Sequence, residues 1–170
     1  WITGQPGSGK STMMKYIIDH YRQERASSRT VVSFFFSHHG TNQSIKSLLS
    51  SLLHQLLRTA PSTRTFEIFS RFLEWRELEG FDNAWDNDIL TENLLKLVDK
   101  STALGDSFFC FIDGLDECDD PDMVVALLQR LNAFSPSRQI WICVSSRPSD
   151  SFTPKAEIRM EDNNSFDIRK

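Results

Sequence analysis

The sequence predicts an α/β fold of three layers: a parallel sheet with helices on both faces. Three observations predict it. Strand-like apolar runs alternate with amphipathic helices along the chain. One run, Ser107 to Ile112 (SFFCFI), is apolar without alternation, the pattern of a central parallel strand buried on both faces. A glycine-rich turn joins a short apolar lead to a helix near the start of the chain.

Each element follows in order. Trp1-Ile2-Thr3 is the apolar lead. The helix from Lys10 carries Met14, Ile17, Ile18 and Tyr21 on one face. Thr30 to Phe36 (TVVSFFF) is β-branched and aromatic and reads as a buried strand. Ile45, Leu48, Leu49, Leu52, Leu53, Leu56 and Leu57 form one stripe on a long helix, which Pro61 follows. Phe66 to Leu78 reads as a helix with two apolar faces: Phe66, Phe69 and Leu73 on one, Ile68, Phe72 and Trp75 on the other. Such a helix is buried deeply or covered by a partner, and its aromatic stripe suits core or interface alike. Gly80 to Asp88 reads as a loop, and Ile89 to Leu104 as a further helix with Leu90, Leu94, Leu97 and Val98 in register. Asp120-Pro121-Asp122 makes a helix start, with a capping Asp, Pro at the first position and acid in the first turn. Val124, Leu127, Leu128 and Leu131 are its buried face. Gln139 to Ser145 (QIWICVS) is another buried strand, Ala156 to Met160 a last one, and Asp167-Ile168 begin a further segment.

Composition narrows the class. The 170 residues, 39% hydrophobic and 25% charged, suit one domain with a real core rather than a disordered chain. Apolar runs such as Phe108 to Ile112 fall far short of the about 20 residues a membrane helix needs, and no signal peptide is visible. With 19 Lys+Arg against 23 Asp+Glu the net charge is −4, which argues against a dedicated nucleic-acid binder. Cys110, Cys118 and Cys143 show no CxxC spacing, which excludes a simple disulfide framework or cysteine zinc site and suits a reducing, cytoplasmic compartment.

Gly4-Gln5-Pro6-Gly7-Ser8-Gly9-Lys10-Ser11 fits the phosphate-binding pattern G-x-x-x-x-G-K-[ST] throughout. Glycines allow a tight turn and close approach to an anion, successive N–H groups cradle phosphate oxygens, and the helix adds its positive end. Lys10 supplies a full charge to the terminal phosphates, the Ser11 hydroxyl is placed to ligate Mg²⁺, and Thr12 to donate to an α-phosphate oxygen.

Asp113 ends the buried strand Phe108–Ile112, where open α/β sheets place their ligand sites. It is placed to hold Mg²⁺ through its water shell, opposite Ser11. Asp116 or Glu117, one turn further, is placed to polarise an attacking water. Ser145-Ser146-Arg147-Pro148 closes the strand from Gln139, and Arg147 is placed either to stabilise a γ-phosphate or to sense its presence.

Gly4–Thr12 resembles a Walker A motif and Phe108–Glu117 a Walker B motif of the form D-G-x-D-E. With Ser145–Pro148 they resemble the NACHT domain of STAND-class P-loop NTPases. The Phe34–Ser37 strand and the helix ending Leu53-His54-Gln55-Leu56-Leu57 are similar to fungal NOD-like receptors and to the nephrocystin-3-like N-terminal NTPase region. The resemblance implies a three-layer P-loop NTPase fold with sheet order 5-1-4-3-2. It implies an ATP- or GTP-dependent, Mg²⁺-dependent switch in innate-immune or self/non-self signalling, self-associating in response to nucleotide. Gly114 stands where many P-loop ATPases carry a catalytic Glu, which favours slow hydrolysis. On this reading residues 1–170 are the NTPase core of a larger protein, the first strand partly missing and the family's winged-helix, effector and repeat regions lying outside it.

Two other classes compete. A conventional P-loop ATPase or kinase would need an acceptor pocket or a basic lid, and no arginine-rich lid segment precedes the last strand. A degenerate protein-interaction module would not need Lys10, Ser11 and Asp113 intact. No N-K-x-D guanine-reading motif is present, which disfavours a Ras-like GTPase. His38-His39 lack a ligand set and read as a polar loop. Cys110 and Cys143 read as inert core thiols, whereas Cys118 falls in a loop where exposure is expected.

Overall fold

The computed structural model describes residues 1–23, 29–37, 42–59, 86–133 and 139–148, and the backbone of 157–160 and 166–169. Among these residues the strands are β1 (Ile2–Gly4), β2 (Arg29–Phe35), β3 (Ser107–Asp113), β4 (Ile140–Ser146), β5 (Glu157–Met160) and β6 (Phe166–Arg169). The helices are α1 (Lys10–Gln23), α2 (Ile45–Thr59), α3 (Asn87–Ala103) and α4 (Pro121–Ala133), with a 3-10 turn at Leu115–Glu117. The stretch Phe66–Leu78, Pro61, His38-His39 and residues 80–85 lie outside the described residues.

The strands form one sheet of order β2-β3-β4-β1-β5-β6. Read from the other edge it is β6-β5-β1-β4-β3-β2: β1 to β5 follow the expected 5-1-4-3-2, and β6 adds a strand outside β5. All neighbours are parallel except β5 and β6, which pair antiparallel. Only positions 161–165 separate those two strands, too few for the crossover that a parallel pair requires.

β3 shows why an unalternating apolar run marks a central strand. Phe108, Cys110 and Ile112 join the core built with Leu48, Leu52, Leu94, Val98, Val124 and Leu131 of α2, α3 and α4. Phe109 and Phe111 face the other way, into a smaller cluster with Ile2 and with Met14 and Ile18 of α1. Burying each such large side chain contributes about 1.5–3 kcal/mol. β4 departs from the expected buried strand at its start: Trp141 is 48% exposed. Tyr21 of α1 packs on Phe109 and Phe111, and Trp141 stacks outside it on Phe109, the rings 4.7 Å apart and 9° from parallel.

Local capping sets two helix starts. The Asp120 carboxylate accepts the Met123 amide at 3.2 Å, as its position before Pro121 predicts. α3 begins earlier than the periodicity indicates, because the Asp86 carboxylate accepts the Asp88 amide at 2.8 Å. Residues 87 and 88 are therefore helical rather than loop. At the sheet edge, the Gln55 side chain of α2 occupies both backbone groups of Ser33. Its Oε1 accepts the Ser33 amide at 3.0 Å and its Nε2 donates to the Ser33 carbonyl at 2.8 Å.

Candidate nucleotide-binding site

The glycine-rich loop leaves β1 at Gly4 and enters α1 at Lys10. Its turn closes with the Ser8 amide on the Gln5 carbonyl at 3.2 Å. Gly7 and Gly9 have φ of +81° and +88°, the left-handed region that costs any other L-residue roughly 1–2 kcal/mol. A Cβ on Gly7 would meet nothing within 4 Å, so conformation rather than space requires glycine there. The Met13 amide meets the Gly9 carbonyl at 2.9 Å, and helix geometry leaves the amides before it for another acceptor.

Lys10 lies back across the loop, its Nζ donating to the Gly4 carbonyl at 2.8 Å and the Gln5 carbonyl at 2.9 Å. The Ser8 hydroxyl is buried with no hydrogen-bond partner among the described residues. A buried, unpaired hydroxyl and an ammonium held by carbonyls in the same loop fit a site completed by an anion. Ser11 and Thr12 are exposed in the first turn of α1, which has no acidic residue to compete for that anion.

One strand, β4, separates β1 from β3, and so the phosphate-type loop from Asp113. Asp113 ends β3 and is 4% exposed. Its Oδ1 accepts the Ser145 hydroxyl, and the same hydroxyl oxygen accepts the Gly114 amide at 3.1 Å. Gly114 has φ +73°, and a Cβ there would sit 3.4 Å from the Phe36 carbonyl oxygen. This explains glycine directly after the strand acid: a glutamate would need left-handed backbone in a crowded space.

The 3-10 turn then presents Asp116 and Glu117. Asp116 is joined to Arg147: one carboxylate oxygen accepts the Arg147 backbone amide at 2.9 Å, the other its Nε at 3.0 Å. Upstream, the Trp1 indole donates to the Ser146 hydroxyl at 2.8 Å, and that hydroxyl donates to the Arg147 carbonyl at 2.6 Å. The structure thus brings Asp116 and Arg147 together, which spacing alone did not indicate. Sequence reasoning passed over Ser145 as a partner of Asp113. A polar residue ending an apolar strand was its only signal.

The thiols make no hydrogen bond within this set of residues, and burial governs each of them. Burial, and then Cys143, push the Cys110 thiol up to about 12. Cys118 is 9% exposed, not exposed as its loop position suggested, and burial raises its thiol too. It packs into the main core, whose apolar demand outweighs its place in a connection. Cys143 is half-buried and also raised by burial. Among the described residues, no group of three His, Cys, Asp or Glu could hold a metal by itself.

The family model for the nephrocystin 3 N-terminal region matches residues 1–147. The chain belongs to the nephrocystin 3 N-terminal family. The chain is similar in structure to Cdc6p from Pyrobaculum aerophilum, with a TM-score of 0.59 at 15% identity. The likeness covers 94% of this chain and 38% of that one and is one of fold. No curated protein matches the chain. The sheet order, the loop and the family match fit a P-loop NTPase-like domain. No described helix is long and apolar enough to cross a membrane.

Proposed function

We propose that this domain binds ATP or GTP together with Mg²⁺ and works as a molecular switch with slow NTP hydrolysis. The observation that carries the reading is the loop from Gly4 to Lys10. Two left-handed glycines, a lysine held only by carbonyls and an unpaired buried hydroxyl meet at the start of α1. Gly4 to Thr12 bind the phosphates, Lys10 moving from the loop carbonyls to the terminal phosphates. Ser11 and Asp113 are the residues that would hold Mg²⁺, which when bound neutralises phosphate charge. Because no described cluster holds a metal alone, a bound ion would take its remaining oxygens from phosphate and water. Lys10, Glu117 and Arg147 act on the terminal phosphate, and Asp116 acts there through its hold on Arg147. Gly114, in place of an acid, keeps turnover slow.

We read residues 1–170 as the NTPase core of a cytoplasmic switch for innate-immune or self/non-self signalling. It acts on winged-helix, effector and repeat regions and self-associates with nucleotide. Calorimetric titration with ATP, GTP, ADP and GDP, each with and without Mg²⁺, tests the site. Mg²⁺-dependent binding of at least one triphosphate is expected, and no binding of any nucleotide overturns it. Turnover at ordinary enzyme rates, about 1–10³ s⁻¹, without any nucleotide-dependent assembly, would overturn the switch.

A further inference from the structure

Asp116 grips one residue twice. Its two oxygens take the backbone amide of Arg147 at 2.9 Å and the Nε of the same residue at 3.0 Å. The main chain of Arg147 is also held at its carbonyl, through Ser146 and Trp1. Ser146 pairs in register with Thr3, so Arg147 follows a residue beside the start of the phosphate-type loop. A guanidinium is planar and rigid, with five donors. The contact through Nε restrains that plane, and the structure gives the Arg147 side chain no partner other than Asp116 among the described residues. The Arg147 side chain is 54% exposed, so its charge stays open to an incoming anion. A carboxylate whose two oxygens already accept from one arginine is badly placed to draw a proton from water.

We infer that Asp116 is a positioning residue, not a base: it holds Arg147 by Nε so that both Nη nitrogens are left for the terminal phosphate of a bound triphosphate. This rests on the nucleotide-binding reading above. Asp116 therefore contributes to telling triphosphate from diphosphate, and it does so only through Arg147.

The test is a double-mutant cycle on the ratio of triphosphate to diphosphate affinity, measured by calorimetry with the full chain. Asp116→Ala and Arg147→Ala are each expected to lower the ratio about fivefold. The double variant is expected to fall no further than Arg147→Ala alone. An equal further loss in the Arg147→Ala background overturns the inference. So does an unchanged ratio in Asp116→Ala with slower hydrolysis, the result expected of a base. If Asp116→Ala does not fold, Arg147→Lys decides. Lysine keeps the charge and backbone amide but has no Nε, so it is expected to match Arg147→Ala, and a wild-type ratio overturns the inference. Wild-type protein that binds no nucleotide defeats the nucleotide reading itself, whereas binding with an Arg147-independent Asp116 effect defeats only this inference.

Discussion

The Ser145 hydroxyl donates to Oδ1 of Asp113 while accepting the amide of Gly114, so one buried side chain on β4 fixes the last residue of β3 and the first of the turn that leaves it. Ser145 is fully buried, and removing its oxygen leaves the Gly114 amide without its acceptor and Asp113 without its donor. Ser145→Ala is expected to cost about 1–3 kcal/mol in urea unfolding. It is also expected to shrink the gain in triphosphate affinity on adding Mg²⁺, because Asp113 is no longer held. Asp113→Ala should remove most of that gain. Equal Mg²⁺ dependence in all three proteins would show that Asp113 does not serve the metal.

Lys10 touches only two loop carbonyls, at 2.8 and 2.9 Å. Lys10→Ala should therefore leave the melting temperature nearly unchanged yet abolish nucleotide binding. A melting scan beside the titration checks both halves. Retained affinity would place the phosphates elsewhere.

Gly114 combines φ +73° with a carbonyl 3.4 Å from where a Cβ would stand. Gly114→Ala is expected to destabilise by roughly 1–2 kcal/mol, the cost of left-handed backbone. Gly114→Glu should cost at least as much and gain no hydrolysis, since the acid cannot adopt the strand-end geometry. A phosphate-release assay that rose in this variant would contradict the argument.

Gln55 satisfies both backbone groups of Ser33 on the edge strand β2, and Arg22 adds a bond to the Ser33 hydroxyl at 3.1 Å. An edge strand with open amides invites pairing with another chain. Gln55→Leu should speed hydrogen exchange at the Ser33 amide, lower stability by about 1–3 kcal/mol and raise light scattering on warming. Unchanged exchange would show the edge is protected otherwise.

The Cys110 thiol, raised to about 12 by burial, makes stability depend on alkaline pH. The unfolded thiol loses its proton first, near its ordinary value of 9.0. Below that pH the contribution is complete; between 9 and about 12 rising pH draws the chain toward the unfolded state. Urea midpoints measured across this window should fall for wild type more steeply than for Cys110→Ala. In the native state Cys110 is expected to resist alkylation at pH 8.

Much of the site was legible in sequence because its chemistry is local. The loop from Gly4 to Thr12 is contiguous, its glycines answer to backbone angles, and Asp113 is marked by the apolar strand it ends. Partners across strands were not legible. Ser145 meets Asp113 and Arg147 meets Asp116 because β4 lies next to β3, with Ile112 opposite Val144. Spacing of 31 or 32 residues carries no sign of that register. Cys118 was misplaced for a related reason: loop position says little about burial when the neighbouring helices pack over the connection.

By itself the sequence determined the alternation of strands and helices, the two-faced burial of β3 and the glycine-and-lysine loop. Each follows from local periodicity, backbone freedom or charge. Tertiary structure alone decided which polar groups satisfy one another: Ser145 with Asp113, Asp116 with Arg147, Gln55 with the edge at Ser33. A buried polar group must find a partner, and which partner it finds depends on strand order and register, which emerge only when the whole sheet packs.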